Sequence, residues 1–458
     1  ELAYVNAAVG AEKAGRWLQP GPSFYVVGYG EIGADLQKVA MENPLNVAGA
    51  VFFDACGGID ADYIKANGEV SFDTATKAYG VTRKEVPVPV KLVNGSADVL
   101  AYWQAAAADA NAVARFAPEG KAVLDAAVVS EQKTYDYTAP ATTDMAWQFL
   151  GTFYRYGGGV LSNAISWKVD YEKLGVEFKS FTDSQGIDRE YLVYIPEKFR
   201  GTEKLPVVIA YHGASTSMRN FFENTLWYNI ADKEGIMLVF PESTLVPVPS
   251  TLGGGEANPT AFRALWQVEN PELKLTDAVY ANDLLDHLEA NYKQVDTGRI
   301  YCTGHSMGCM MTHYLGSTDV SHRFAAMGAT SGPLMAKEDT GSQIVPIFFT
   351  MAEYDMWSYD LSQDSTMVTK AVDMWLIRNG FATEENVMEV RKGGGTSSFV
   401  EGRYDNTVWE KDGTPLVRYA VVDKKDHVNL PEENQLLWDQ WFSQFTMSAD
   451  GTRTYAGK

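Results

Sequence analysis

Ser306 stands in the pentapeptide Gly304-His305-Ser306-Met307-Gly308. An apolar run, Arg299–Thr303, precedes it and a second, Cys309–Leu315, follows. A strand, a tight turn and a helix in that order would lift the serine hydroxyl clear of a sheet edge. Glycines two residues to either side leave room where Cβ atoms would clash, and the serine itself must take a strained backbone conformation. The helix N-terminus behind it favours developing negative charge. A serine so placed is a nucleophile for acyl transfer, provided a base removes its proton.

Histidine is the usual base, because it titrates near neutrality. Around a nucleophile on such a turn, the order along the chain is serine, acid, histidine. Three histidines follow Ser306: His313, His322 and His427. His313 falls about two turns along the helix behind the serine, too far down for the hydroxyl. His322 falls in the next connection. His427 follows the strand-like run Leu416–Val422 and precedes the last helix. That loop lies at the carboxyl edge of the sheet, so His427 is the expected base. The acid should follow the strand one βα unit beyond the serine. That strand is Ile344–Met351, and Asp355 closes the turn behind it. Its carboxylate would hold the imidazole in one tautomer. Glu353, Asp360 and Asp364 are its rivals.

A tetrahedral intermediate needs N–H donors. Met307, beside the nucleophile, offers one. The loop Tyr211-His212-Gly213-Ala214-Ser215-Thr216 follows an early strand and offers another, at Ala214, with Ser215 as the alternative. His212 is expected to brace that loop. Trp357, two residues beyond Asp355, could stack on an aryl group or a sugar; Trp227 and Trp266 are weaker candidates. His305 and Ser215 are further candidate substrate contacts.

These residues need a sheet to carry them. Glu177–Phe181 and Glu190–Pro196 alternate like paired strands around Gln185-Gly186. Leu205–Tyr211 and Glu234–Pro241 are continuous apolar runs, as strands covered on both faces should be. Helical spacing fits Trp227–Lys233, Asp277–Tyr292 and Leu436–Phe445, whose aromatic stripe reads as core. Further strands are expected at Phe324–Ala329 and Val345–Met351. Alternating strands and helices give an α/β class with a mostly parallel sheet.

Residues 170–458 therefore read as one catalytic domain. Residues 1–150 resemble the later half of the same plan, worn and partial. Phe24–Gly33 is similar to the region around the serine, with Glu31 set against Ser306. Val88–Asp98 matches Val345–Asp355. Pro140 and Trp147 are spaced as Pro431 and Trp438 are, which sets Asp136 against His427. This copy has lost nucleophile and base and is expected to be non-catalytic. Residues 151–169, with Gly157-Gly158-Gly159, read as the linker.

The formal net charge of −21 argues against nucleic acid and membrane as partners. Cys56, Cys302 and Cys309 show no disulfide framework. No His-x-x-x-His or Cys-x-x-Cys suggests a metal, and Gly253-Gly254-Gly255 lacks the Lys-Ser/Thr of a phosphate loop. No cofactor is implied. No run reaches transmembrane length and no signal peptide is visible. The chain starts at Glu1, as a mature or trimmed product would, so secretion is slightly favoured over a cytoplasmic location.

Tyr191–Pro196, Tyr211-His212-Gly213, Asp296–Gly308 and His427 ahead of the Trp438 helix resemble the polyhydroxybutyrate-depolymerase-like esterases. That group includes feruloyl and acetylxylan esterases of carbohydrate esterase family 1. The resemblance covers roughly residues 175–446. It implies an α/β-hydrolase fold, with nucleophile, acid and base at Ser306, Asp355 and His427. Two positions depart from the family pattern: Cys309 replaces a second glycine, and Asp426 replaces the glycine before the histidine. The implied function is a serine carboxylic ester hydrolase, acting first on feruloyl esters of plant polysaccharide, then on acetyl or polyester substrates. A serine peptidase of the same fold is one alternative. A carbohydrate-binding or scaffold protein with a vestigial site is another. An oligomer could form through residues 1–150.

Overall fold

The computed structural model describes residues 24–72, 78, 80–117, 127–155, 159–162, 169–202, 204–248, 258–266, 276–335 and 339–456. Gly253-Gly254-Gly255 and much of the expected linker, including Gly157 and Gly158, lie outside the described residues. The chain divides into two compact units. One comprises Glu1–Trp167 with Lys424–Asp426, the other Lys168–Asp423 with His427–Lys458.

The first unit is built on four parallel strands, β1 (Phe24–Tyr29), β2 (Val47–Phe53), β3 (Val90–Val93) and β4 (Val128–Glu131), in that spatial order. β2 is buried along its whole length, as a central strand covered on both faces must be. The helix Gly30–Glu42 follows β1, and Pro140 opens a later helix, Pro140–Leu150. A short antiparallel pair, β5 (Tyr154–Arg155) and β6 (Leu161–Ser162), completes the unit. The Arg155 guanidinium is fully buried and donates to the carbonyls of Val47, Gly159 and Pro87, so burial is matched by hydrogen bonding. The left-handed residue after β1 is Gly30, with φ 57°. The positive φ of Ser306, 57°, thus recurs at Gly30 and not at Glu31. Two glycine registers were open at Gly28-Tyr29-Gly30-Glu31-Ile32-Gly33, and the backbone takes the earlier.

The second unit is an α/β-hydrolase fold around a ten-stranded sheet. β7 (Glu177–Thr182) and β8 (Asp188–Tyr194) form the expected hairpin. β9 (Leu205–Tyr211) and β10 (Met237–Pro241) are parallel and wholly buried. A separate hairpin, β11 (Thr244–Val248) and β12 (Asn258–Leu265), follows. The chain then crosses to β13 (Val295–His305), β14 (Ala326–Thr330) and β15 (Ile347–Ala352). β16 (Ser397–Glu401), β17 (Tyr404–Lys411) and β18 (Thr414–Val422) close that side, with β18 parallel to β15. β19 (Phe445–Met447) and β20 (Arg453–Tyr455) form a last small pair.

Sheet order runs β16-β17-β18-β15-β14-β13-β9-β10-β8-β7. The chain leaves β9 toward one edge and later builds outward from β13 toward the other. The crevice beyond the carboxyl ends of β9 and β13 is thus the topological switch point, where ligands of open α/β sheets bind.

The turn after β13 shows why the glycines are needed. A Cβ on Gly308 would fall 1.9 Å from the Tyr211 carbonyl oxygen, and one on Gly304 would fall 2.3 Å from that of Gly308. The helix Met307–Gly316 is buried on every side, which accounts for its apolar face at Cys309, Met310 and Met311. Cys302 and Cys309 are buried and form no disulfide among the described residues, and Cys309 Sγ donates to the Gly332 carbonyl at 3.2 Å. The last helix, Pro431–Gln440, ends five residues before the expected Phe445. Trp438, Trp441, Phe442 and Phe445 are nonetheless core residues.

Candidate active site

Ser306 occupies φ 57°, ψ −117° at the N-cap of the helix Met307–Gly316. A residue with a Cβ persists there only when its surroundings enforce it. Two of these are visible: the Ser306 N–H donates to the Thr330 carbonyl at 3.0 Å, and the Ser306 carbonyl accepts from Met310 N–H at 3.0 Å.

The His427 ring lies against this serine. Its Nε2 is 2.8 Å from Ser306 Oγ, and its Nδ1 is 3.1 Å from Asp355 Oδ2. The Asp355 carboxylate is fully buried, and its other oxygen accepts from Met356 N–H at 2.7 Å. Three expected residues therefore form one line from three separate loops, after β13, β15 and β18. His313 is fully buried instead, where its Nδ1 accepts from Trp375 Nε1 at 2.9 Å. Burial pushes the His313 imidazole down to about 3, so it is neutral. His322 is exposed and bonded to the Asp319 carbonyl.

Met307 opens its helix, so its N–H belongs to the first turn, whose donors have no intrahelical acceptor. The loop after β9 was expected to offer a second N–H, at Ala214 or at Ser215. Ser215 N–H donates to the Ala264 carbonyl at 2.9 Å, so the alternative donor at Ser215 is excluded. The hairpin β11–β12 takes that hydrogen bond. Ala214 remains. His212 Nδ1 lies 2.7 Å from the Gly213 carbonyl and donates to it. On the far side, Nε2 lies 3.1 Å from Ser243 N and 3.0 Å from Glu242 Oε1. Gly213 C=O and Ala214 N–H share one trans peptide plane and point in opposite directions. Holding the carbonyl on His212 therefore turns the Ala214 N–H away from the ring. Gly213 itself abuts Ser306: a Cβ there would stand 3.3 Å from Ser306 Cβ.

Trp357 meets the His427 ring edge-on, with centroids 5.3 Å apart. His305 lies on the same imidazole, at 4.8 Å between centroids. Ser215 Oγ is shielded from solvent and has no hydrogen-bond partner among the described residues. Trp266 is buried and donates to the His212 carbonyl at 2.7 Å, so it braces the loop. Trp227 is buried and stacked on Phe442, as a core residue is.

Sequence reasoning missed the supports behind these residues. Thr330 Oγ1 lies 3.1 Å from the Gly304 carbonyl, 3.4 Å from His305 Nδ1 and 3.4 Å from Asn429 Nδ2. Asn429 is two residues past His427, so Thr330 ties the histidine loop to the serine strand. Glu433 accepts from Leu430 N–H at 3.0 Å and from Thr350 Oγ1 at 2.7 Å, which anchors the same loop to β15. The capping spacing of Glu433 behind Leu430-Pro431 was the one available signal.

The Esterase family model ("Putative esterase") matches residues 183–429, more than half of the chain. The chain belongs to the Esterase family. Two curated relatives share part of this esterase-family sequence. The bifunctional acetylxylan esterase/xylanase XynS20E of Neocallimastix patriciarum is 27% identical over 164 residues, which is 36% of this chain and 21% of that protein. Acetylxylan esterase A of Emericella nidulans is 24% identical over 151 residues, 31% of this chain and 41% of that protein. The chain thus spans well under half the length of both relatives. Among solved structures, the acetyl xylan esterase from Aspergillus awamori aligns with a TM-score of 0.39 at 12% identity. It covers 58% of this chain and 99% of its own.

Proposed function

We propose that the chain hydrolyses carboxylic esters through an acyl-serine intermediate, with Ser306 as nucleophile, His427 as base and Asp355 as the orienting acid. The observation that carries this reading is the continuous line Ser306 Oγ–His427–Asp355, at 2.8 and 3.1 Å. Ser306 Oγ attacks the ester carbonyl and its proton passes to His427 Nε2. Met307 and Ala214 N–H groups hold the oxyanion. The imidazolium then gives its proton to the leaving alcohol. Water, deprotonated by the same Nε2, attacks the acyl-serine and releases the acid.

The substrate read from Trp357 is an aryl, hydroxycinnamoyl ester carried on plant polysaccharide. A flat indole beside the base suits an aromatic acyl group. A second reading, an acetyl ester on xylan, is favoured by the names of the two curated relatives. Methyl ferulate, methyl acetate and acetylated xylan, each assayed with wild type and Ser306→Ala, test both. Turnover of any of them by Ser306→Ala at a rate near that of wild type would remove the serine mechanism.

We also infer that the first unit is a degenerate copy of the second half of such a hydrolase. Its order β1-β2-β3-β4 parallels β13-β14-β15-β18. Gly30 and Ser306 share φ 57°, and Asp54 (φ 52°) after β2 parallels Ser331 (φ 54°) after β14. Asp136 and His427 each stand three residues before the N-cap of a helix with Pro at its start. With glycine and aspartate in place of nucleophile and base, this unit supplies no second acyl-transfer site. The Ser306→Ala chain should then be inactive as a whole.

A further inference from the structure

We propose that Arg391, on the helix Val387–Lys392, is the positioning residue that holds the Trp357-bearing loop as a preformed wall and so sets the preference for aryl over acetyl esters. This rests on the ester-hydrolase reading above and extends it to the choice of acyl group.

The loop in question joins β15 to the helix Met367–Arg378 and carries both Asp355 and Trp357. Beyond Trp357 it has no ladder partner, so its carbonyls need donors from elsewhere. Tyr419, buried on β18, donates its hydroxyl to the Tyr359 carbonyl at 2.7 Å. Arg391 Nη1 donates to the Leu361 carbonyl and, at 2.8 Å, to that of Gln363. Three alternate carbonyls, at 359, 361 and 363, are thus held from the protein side. Arg391 Nε donates to Asp373 Oδ1 at 2.7 Å, and Nη2 lies 3.6 Å from Asp364. Lys392 Nζ shares Asp364 at 2.8 Å. The Arg391 side chain is wholly buried, so its charge is matched by these carboxylates rather than by water.

Only a planar fork reaches two carbonyls and two carboxylates at once; an ammonium does not. Asp355 depends on this staple far less. It sits three residues past β15, with its own N–H on the Ala352 carbonyl at 3.2 Å and its carboxylate capped by Met356 N–H. Loosening residues 357–364 therefore frees the Trp357 indole while leaving the acid in place. A methyl group on the acyl carbon is too short to use that indole, whereas a hydroxycinnamoyl ring is not.

The test compares methyl ferulate with methyl acetate, which differ only in the acyl group, on the full chain. Arg391→Lys should raise KM for methyl ferulate about tenfold with kcat within about twofold, the scale of one aromatic contact. Methyl acetate kinetics should be unchanged. In a Trp357→Ala background the same substitution should add nothing, because the residue through which Arg391 acts is gone. Tyr419→Phe removes the other latch with a smaller change. It should act in the same direction, and it carries the test if Arg391→Lys fails to accumulate as folded protein. An equal loss on both esters, or an aryl-specific loss that persists without Trp357, overturns the proposal. Ester turnover by Ser306→Ala at a rate near that of wild type would instead overturn the underlying reading.

Discussion

Ser306 Oγ lies 2.8 Å from His427 Nε2 although Ser306 holds a left-handed backbone, φ 57°, ψ −117°. Strain and alignment come from one turn, so they should separate under mutation. Ser306→Ala should lower kcat on its best ester about a million-fold, the scale seen when a triad serine is lost. Ser306→Gly should be equally inactive but more stable than Ser306→Ala, by about 1 kcal/mol, because glycine relieves the positive φ. Kinetics and denaturant midpoints on both variants check this. Equal stability of the two would mean that the turn is not strained.

Asp355 holds the Nδ1 side of His427 from a buried carboxylate. Asp355→Asn keeps the shape but lets the amide donate, which favours the wrong imidazole tautomer. We expect kcat to fall about 10⁴-fold with KM little changed. The neighbouring Asp426 is half-buried and is not the carboxylate on Nδ1, so Asp426→Asn should cost kcat far less than Asp355→Asn does. A larger loss at 426 than at 355 would reverse the assignment.

How far the site was legible depended on the kind of information each residue carried. Ser306, Asp355 and His427 could be placed because strand–turn–helix periodicity and a fixed chain order leave few candidates. Ala214 was preferred to Ser215 on the shape of the loop alone, and the contact that bears on the choice carries no local signal. That contact is with the Ala264 carbonyl, which a remote hairpin brings to Ser215 N–H. Thr330, Asn429 and Arg391 carry no local signal, since their roles come from partners 18 to 99 residues away. β16 escaped for a different reason: Ser397–Glu401 is exposed on both faces, so no alternation marks it. That the positive φ falls at Gly30 and not at Glu31 could not be read, because glycines offer two registers there.

His212 fixes the direction of the Ala214 N–H through the Gly213 carbonyl. His212→Ala should cost about 10²-fold in kcat, the lower range for losing an oxyanion donor. His212→Asn places an amide N–H near the Nδ1 position and should recover part of that loss. A purely structural role would lower stability in both variants without distinguishing their kcat. Circular dichroism melts run beside the kinetics separate the two outcomes.

His313 is fully buried, and its burial makes a stability prediction. Burial lowers its pKa to about 3, with the Gly332 backbone opposing, against an ordinary 6.5 in the unfolded chain. Below pH 6.5 the unfolded state binds a proton there that the folded state refuses. The stabilisation is therefore complete above that pH and is lost as pH falls toward 3. The slope is about 1.4 kcal/mol per pH unit for one proton. His313→Gln removes this titration while keeping a side chain that can accept from Trp375 Nε1. Its unfolding free energy should fall less steeply than that of wild type between pH 6 and about 4, whatever its absolute level. Two parallel curves would show that the imidazole becomes protonated inside the folded protein, which the fully buried helix beneath Ser306 gives it no means to do.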